Sequence, residues 1–319
     1  MVAQSTQTAG SPQAESKVAP DMSVVLVCWN NRDYLEPCLA SLYSAGLRSS
    51  FDVVVVDNGS TDGSQAMLRE RFPQVKLVQN DHNVGLGRAS NQGIEATGGR
   101  YVLLLNNDTL VNGYSLDGMV GFLDDNPQAG AVGGRLLNAD GSLQACYNRF
   151  PSLRDEFLVA TRLGELFQEG YPAIMDGNEV RSVDWLGSAC LMLRRAALDQ
   201  VGLLDEQYFI YGDEADLQYR LVRAGWPIYY LPHATTIHYG GRSLDRWRRR
   251  KMVYRGKMLF FRKNYGRLPT AGLRLMLASL SLAKILVWAV ASASPRWRQR
   301  GAREVLSNLE VVRLCVRLA

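Results

Sequence analysis

The stretch "LLLNNDTL", Leu103 to Leu110, sets three leucines directly against two asparagines and an aspartate. Asn-Asn-Asp is acceptable turn chemistry after a buried strand. The same residues also place a carboxylate at the carboxyl end of a strand, where open α/β sheets bind ligands. The segments on either side decide what kind of strand this is. "SVVLV" (Ser23–Val27), "FDVVVV" (Phe51–Val56), "VKLV" (Val75–Val78) and "YVLLL" (Tyr101–Leu105) are short, apolar and largely β-branched, as strands buried on both faces are. Helix-length segments separate them. One opens on a capping-box-like Asp33 and Glu36 and ends near Gly46; the next two are Ser64–Arg71 and Arg88–Ala96, the last stopped by Gly98-Gly99. Strand and helix in strict alternation predict an α/β fold, a doubly wound and mainly parallel sheet flanked by helices.

Beyond residue 130 the rhythm loosens. "AVGG", "SVDWLGSACLMLRR" and "PIYYLP" read as further strands, and Arg194–Val201 and Glu214–Ala224 as helices. Residues 140–182 show no clear pattern, and from Ser243 onward the sequence reads as helix. The 319 residues, 47% hydrophobic and 21% charged, are ordinary globular composition. The net charge of +5 conceals an asymmetry. From Arg242 onward lie 19 of the 36 Lys/Arg but only 3 of the 31 Asp/Glu, a balance of +16 against −11 for the preceding body. An acidic body with a basic tail points to an anionic surface as partner of the tail. Five scattered cysteines without a C-x-x-C pair argue against a disulfide framework or a zinc site, and fit a reducing compartment. The first 21 residues, rich in Ser, Gln, Ala and Pro and lacking an apolar h-region, are expected to be disordered and not a signal peptide.

Four stretches carry chemical potential. In "VVVVDNGSTDGS", Asp57 ends a strand and could accept hydrogen bonds from a base or ribose, or simply cap a turn. In "NVGLGRASNQG", Gly85-x-Gly87 precedes a helix whose N-terminal N–H groups could face a diphosphate, with Arg88 adding charge. The third is the opening stretch, with Asp108 as a hard oxygen ligand for Mg²⁺ or Mn²⁺. The fourth, "YGDEADLQYRL", holds three carboxylates in four residues. Asp213 as N-cap and an Asp216–Arg220 pair would explain two of them and leave Glu214 without a structural task.

The order of these segments, with "SVVLVCWNNRDYLEPCLASL", "WLGSACLMLRRAAL", "GLLDEQYFIYGDEADLQYRLVRAGW" and "IHYGGRS", resembles the family 2 glycosyltransferases of GT-A fold over about residues 22–243. The likeness is greatest to the bacterial rhamnosyltransferase-like branch that builds cell-envelope polysaccharides. The resemblance implies an inverting, metal-dependent transfer of a sugar from a nucleotide diphosphate sugar, with dTDP-L-rhamnose the favoured donor. The acceptor would be a hydroxyl of a cell-envelope glycan or a polyprenyl-diphosphate-linked sugar. Asp57 would contact the nucleotide, Asn83, Gly85 and Asn91 would lie beside the sugar nucleotide, and Asp108 would be the one carboxylate left in the D-x-D metal motif. Glu214 takes the place of the general base with Asp213 as competitor, because this chain reverses the usual Glu-Asp order. His238, in a late H-x-x-G-x-S stretch, is expected to join Asp108 on Mg²⁺ or Mn²⁺, favouring Mn²⁺. Asn30, Asn58, Arg88, Asn107, Trp185 and Arg242 complete the expected substrate-binding set. Cys190 and Ser188 are expected to be packing residues, since inversion needs no covalent nucleophile.

The expected organisation is a disordered segment 1–21, a catalytic domain 22–245 and a helical tail 246–319. The catalytic domain divides into a nucleotide-sugar half 22–130 and an acceptor half 131–245. Two other functions compete. A nicotinamide-dependent oxidoreductase would use Gly85-x-Gly87 as its fingerprint, but that motif belongs after the first strand. A non-catalytic module would use the basic tail on nucleic acid or another anionic surface, but the tail also carries "LMLASLSLAKILVWAVASAS", Leu275 to Ser294, which a nucleic-acid groove has no use for. Positive flanks on both sides suit a segment lying on the cytoplasmic leaflet of a bacterial plasma membrane, with Lys284 snorkelling. A soluble helical hairpin folded against the body is the competing expectation.

Overall fold

The computed structural model describes residues 19–166, 178–240 and 246–317. The four apolar runs form β1 (Met22–Cys28), β2 (Phe51–Asp57), β3 (Lys76–Gln79) and β4 (Tyr101–Leu105), joined by α1 (Arg32–Tyr43), α2 (Ser64–Arg71) and α3 (Leu86–Glu95). They pair in the order β3-β2-β1-β4, all parallel. The absence of polar alternation has a direct cause: Val53 and Val55 pack into one layer, while Val54 and Val56 pack against Ala89 of α3 on the other face. After β3 the chain crosses to the far side of β1, so strand order reverses between β1 and β4. That reversal opens a crevice at their carboxyl ends, where Asn106-Asn107-Asp108 emerges.

The capping box expected of Asp33 and Glu36 does not form. Asn31 occupies the cap position without a capping bond; its side-chain Nδ2 donates to Asn107 at the end of β4, and Glu36 pairs with Arg71 of α2. The helix start is stitched to the sheet instead of to itself.

The second half adds β5 (Thr109–Leu110), α4 (Gly113–Asp125), β6 (Ala131–Leu137), β7 (Leu143–Gln144), β8 (Tyr147–Asn148), α5 (Leu153–Thr161), α6 (Leu163–Leu166), β9 (Arg181–Val183), β10 (Trp185–Leu186), β11 (Cys190–Arg194), α7 (Arg195–Val201), α8 (Asp213–Arg223) and β12 (Ile228–His238). The sheet continues as β4-β11-β6-β12-β5, with β11 antiparallel to both neighbours and β12 parallel to β6. The parallel block therefore gives way to a mixed one. The unpatterned region 140–182 contributes β7 and β8, a two-residue strand pairing with β10, before α5.

The tail comprises α9 (Arg246–Asn264), α10 (Arg267–Ala291) and α11 (Arg298–Arg317). It is packed onto the body. Met258, Phe260, Phe261, Leu273, Leu277 and Val311 form one core with Ala215 of α8, and Phe150, Trp185 and Tyr219 pack against it. Lys263 of α9 pairs with Asp205 and Asp216, and Gly256 lies so close to Tyr211 that a Cβ there would strike its carbonyl. Helices α10 and α11 run antiparallel, with Arg274 Nε donating to the Cys315 carbonyl at 2.6 Å. Lys284 does not snorkel outward: its Nζ donates to the Ala160 carbonyl of α5 at 2.8 Å. On the other side of α10, Leu268, Leu275, Leu282, Leu286, Val287 and Val290 are exposed, and α10 is long and apolar enough to cross a membrane by length and composition.

Candidate active site

A cleft of about 820 Å³ opens at the carboxyl ends of β1 and β4. From the first half of the sheet it is lined by Asn31, Asn58, Asn83 and the Asn106–Asp108 loop, and from later elements by Trp185, Glu214 and, from α9, Arg249 and Lys257. His238, the last residue of β12, reaches the same floor because β12 pairs with β5 through His238↔Thr109.

Asp108 and His238 meet there, Nε2 lying 3.3 Å from Asp108 Oδ1 with both side chains 16% exposed. The ring is oriented from behind. Gln144 Nε2 donates to Asn138 Oδ1 at 2.8 Å and to the His238 carbonyl at 3.1 Å, which turns its Oε1 onto His238 Nδ1 at 2.6 Å. Nδ1 therefore carries a hydrogen, which in the neutral ring leaves the Nε2 lone pair facing Asp108, with Asn106 Nδ2 also at 3.3 Å. A lone pair and a carboxylate oxygen this close are a donor set that a divalent cation satisfies. Among the described residues no group of three or more His, Cys, Asp or Glu could hold a metal. Two protein ligands leave the rest of a coordination shell for substrate oxygens and water. The residues fit a divalent cation shared with a diphosphate.

The two adjacent carboxylates of α8 have different surroundings. Glu214 lines the cleft, one oxygen accepting from the Gly212 N–H at 3.1 Å. Asp213 is 2% exposed, and one of its oxygens has no partner. Burial, then the neighbouring Glu214 charge, pushes its carboxyl well above the usual carboxylate range. The expected N-cap role for Asp213 is not realised, since Gly212 (φ 100°) holds that position. The Asp216–Arg220 pair is present at 3.0 Å.

Several expected substrate ligands are tied up within the protein. Asn30, in the left-handed region at φ 50°, accepts from Thr61 N at 2.7 Å and joins the β1 loop to the β2 loop. Asp57 is buried, with Oδ2 accepting from Gln65 at 2.6 Å and Oδ1 without a partner. Asn58 and Asn83 bond each other at 3.0 Å and reach the cleft together. Asn107 lines the cleft while its amide donates to the Val27 carbonyl at 2.7 Å. Asn91 is a buried latch, exchanging bonds with Leu204 N and O at 3.0 and 2.8 Å. Arg88 is exposed beside Glu206. The structure does not open Gly85-x-Gly87 as a phosphate cradle: Leu86 N–H is spent on the Phe209 carbonyl at 2.7 Å, and a Cβ on Gly85 would come within 2.9 Å of that oxygen. Trp185 lines the cleft with its indole N–H on the Arg149 carbonyl at 2.9 Å. Arg242 lies outside the described residues.

All five cysteines are free and buried. Burial pushes the Cys190 thiol up to about 11, in keeping with a packing role, whereas Ser188 lines the cleft. Sequence reasoning missed Asn31, Gln144 and Arg249. Asn31 stands beside a motif residue and could have been weighed; Gln144 offers no local signal, because only the β6–β7 pairing brings it under His238.

A model described as glycosyl transferase family 2 matches residues 23–202. The N-acetylglucosaminyl-diphospho-decaprenol L-rhamnosyltransferase of Mycobacterium tuberculosis is 33% identical over 241 residues, 70% of this chain and 78% of that protein. Among solved structures, the mannosyltransferase PcManGT from Pyrobaculum calidifontis, in complex with GDP-Man and Mn²⁺, aligns with a TM-score of 0.53 at 18% identity. It covers 92% of this chain and 86% of the other. GalNAc-T7 with UDP, GalNAc and Mn²⁺ aligns at 0.54 and 15% identity, over 76% and 48%. These neighbours share the GT-A fold, and they do not favour the dinucleotide-binding or nucleic-acid readings. The chain belongs to glycosyl transferase family 2.

Proposed function

We propose that this glycosyltransferase moves L-rhamnose from dTDP-L-rhamnose to a sugar hydroxyl of a polyprenyl-diphosphate-linked acceptor, with inversion at the anomeric carbon. The observation that carries the reaction is that Glu214 and the Asp108–His238 pair line one cleft at the strand-order switch. The 33% identity to an enzyme named for rhamnosyl transfer to N-acetylglucosaminyl-diphospho-decaprenol supports the substrate class. Asp108 and His238 hold a divalent cation, with Mn²⁺ favoured by the imidazole, which neutralises charge on the donor diphosphate when bound. Asn83, held by the Asn58 amide, lines the nucleotide side of the cleft, while Asp57 stays buried and braces the β2 loop through Gln65. Glu214 takes the acceptor hydroxyl proton as that oxygen attacks.

The exposed apolar face of α10 rests on the cytoplasmic leaflet, as a monotopic and not a spanning contact. Support comes from the inward aim of Lys284, which leaves the outward face free of charge, and from the relative's lipid-linked acceptor. A panel of nucleotide sugars scored by thermal shift with Mn²⁺, followed by transfer to a short-chain polyprenyl-diphosphate acceptor, tests the reading. Stabilisation by dTDP-L-rhamnose above UDP- and GDP-sugars is the expected result. Equal indifference to every nucleotide sugar would overturn it.

A further inference from the structure

A second groove, of about 670 Å³, lies between α9 and α11, away from the catalytic cleft. Its rim holds Arg248, Arg250 and Lys251 of α9 and Arg303 and Arg313 of α11, against the single carboxylate of Glu310. Leu306, Leu309 and Val311 form an apolar floor, and Leu306 is 63% exposed. The cations are not equivalent. Lys251 is neutralised by Glu310 at 2.7 Å. Arg250 is pre-positioned: the fully buried Asn308 accepts from its guanidinium at 3.0 Å, and the Tyr254 ring centroid lies 5.6 Å away. Among the described residues, Arg303 and Arg313 have no hydrogen-bond or ion-pair partner. On α11, Arg303, Leu306, Glu310 and Arg313 recur at three- and four-residue steps, so they share one face.

A cationic rim above an apolar floor matches an anion joined to hydrocarbon. A free phosphate would use the rim and leave the floor wet; an apolar molecule would leave the guanidiniums of Arg303 and Arg313 without an anion. We propose that this groove is a discrete site for one anionic phospholipid, its headgroup phosphate on Arg250, Arg303 and Arg313 and its acyl chain along Leu306 and Leu309. The site rests on the reading of the tail as membrane-associated and gives that association a stoichiometry. The exposed face of α10 supplies non-specific apolar contact, and the groove selects the anionic lipid.

The test uses the full-length protein and monomeric dihexanoylphosphatidylglycerol, below its micellar range, titrated by calorimetry. One saturable site per chain is expected. It should weaken by about 25-fold in the Arg303→Gln, Arg313→Gln double variant, about fivefold per cation. The Arg296→Gln, Arg298→Gln variant removes the same charge outside the groove and should bind as the parent does. Leu306→Ala, which changes no charge, should weaken binding at least about fivefold through the floor alone. Dihexanoylphosphatidylcholine and inorganic phosphate should both bind at least tenfold more weakly. Equal loss in the two double variants, phosphate binding as tight as the lipid, or no saturable site would each overturn the proposal. Binding of a nucleotide diphosphate, measured on the same samples, stands apart: its loss with lipid binding intact would sink the transferase reading and leave the groove, and the converse holds.

Discussion

Replacing the two adjacent carboxylates of α8 one at a time separates their roles. Glu214→Gln removes the carboxylate that faces the cleft and should lower kcat by about 10²–10⁴-fold, with nucleotide-sugar affinity unchanged. Asp213→Asn should cost less than about tenfold in kcat, because Asp213 does not line the cleft. Its effect should appear in stability. The native carboxyl is held above its ordinary value by burial and by Glu214, so between the unfolded and native values the folded chain binds the extra proton. Its contribution to stability is complete below the unfolded value and is lost as pH rises toward the native one. Each unit of separation corresponds to about 1.4 kcal/mol. Asparagine has no proton to lose, so Asp213→Asn should be more stable than the parent at about pH 8, with the gap closing toward about pH 4. Denaturant unfolding at several pH values, alongside initial rates, measures both. A more severe kinetic loss in Asp213→Asn than in Glu214→Gln would exchange the two assignments. Parallel pH–stability curves for parent and Asp213→Asn would refute the buried, proton-holding carboxyl.

Gln144→Leu removes the acceptor that fixes the His238 ring and should weaken Mn²⁺ binding by about 10–100-fold in an electron paramagnetic resonance titration; unchanged affinity would show that the ring needs no such support. Phe260→Ala should destabilise the protein by about 3–5 kcal/mol in denaturant unfolding, and a chain ending at residue 245 should fail to fold, because Phe260 sits 1% exposed in a core shared by α8 and α9. A soluble, cooperatively unfolding 1–245 fragment would contradict that. Leu282→Glu with Leu286→Glu should reduce sedimentation with anionic vesicles by at least about tenfold, since each buried leucine side chain contributes about 1.5–3 kcal/mol, and should leave the melting temperature in place because both are exposed. Undiminished sedimentation would return α10 to the role of a plain soluble hairpin.

What was legible in the sequence follows from how each residue is constrained. The strands of the parallel block could be read because both of their faces are buried, which forces unbroken apolar runs such as Val53 to Val56. Helix starts could not be read as reliably. Asp33, Glu36 and Asp213 look like local caps, yet Asn31 and Gly212 hold the cap positions, and Glu36 is drawn across the fold to Arg71. The pairing of Trp185 with Asn148 was invisible, since a two-residue ladder between distant segments has no periodicity. Within the site, Asp108 and His238 stood out by motif, while amides posed a harder problem. Asn91 and Asn107 are the same residue type, but one latches a buried loop and the other reaches the cleft, and only three-dimensional neighbours distinguish them.

The tail presents the same difficulty on a larger scale. Its charge and apolar content separate it from the body in sequence, but α9 supplies Arg249, Val253, Gly256, Lys257 and Phe260 to the wall of the catalytic cleft. These residues fall on one helical face, which is why the basic composition of the helix hid them. Lys257 is further fixed by the buried Glu156 of α5 at 2.7 Å, and α5 in turn accepts from Lys284 of α10. One chain of contacts thus runs from the exposed apolar face of α10 through α5 and α9 to the cleft. With that face on a bilayer, the acceptor side of the cleft is held at a fixed height above the lipid. Under the proposed reaction a polyprenyl-linked sugar would be confined to that height as well, so docking the tail would orient the cleft lining that carries Glu214 toward it.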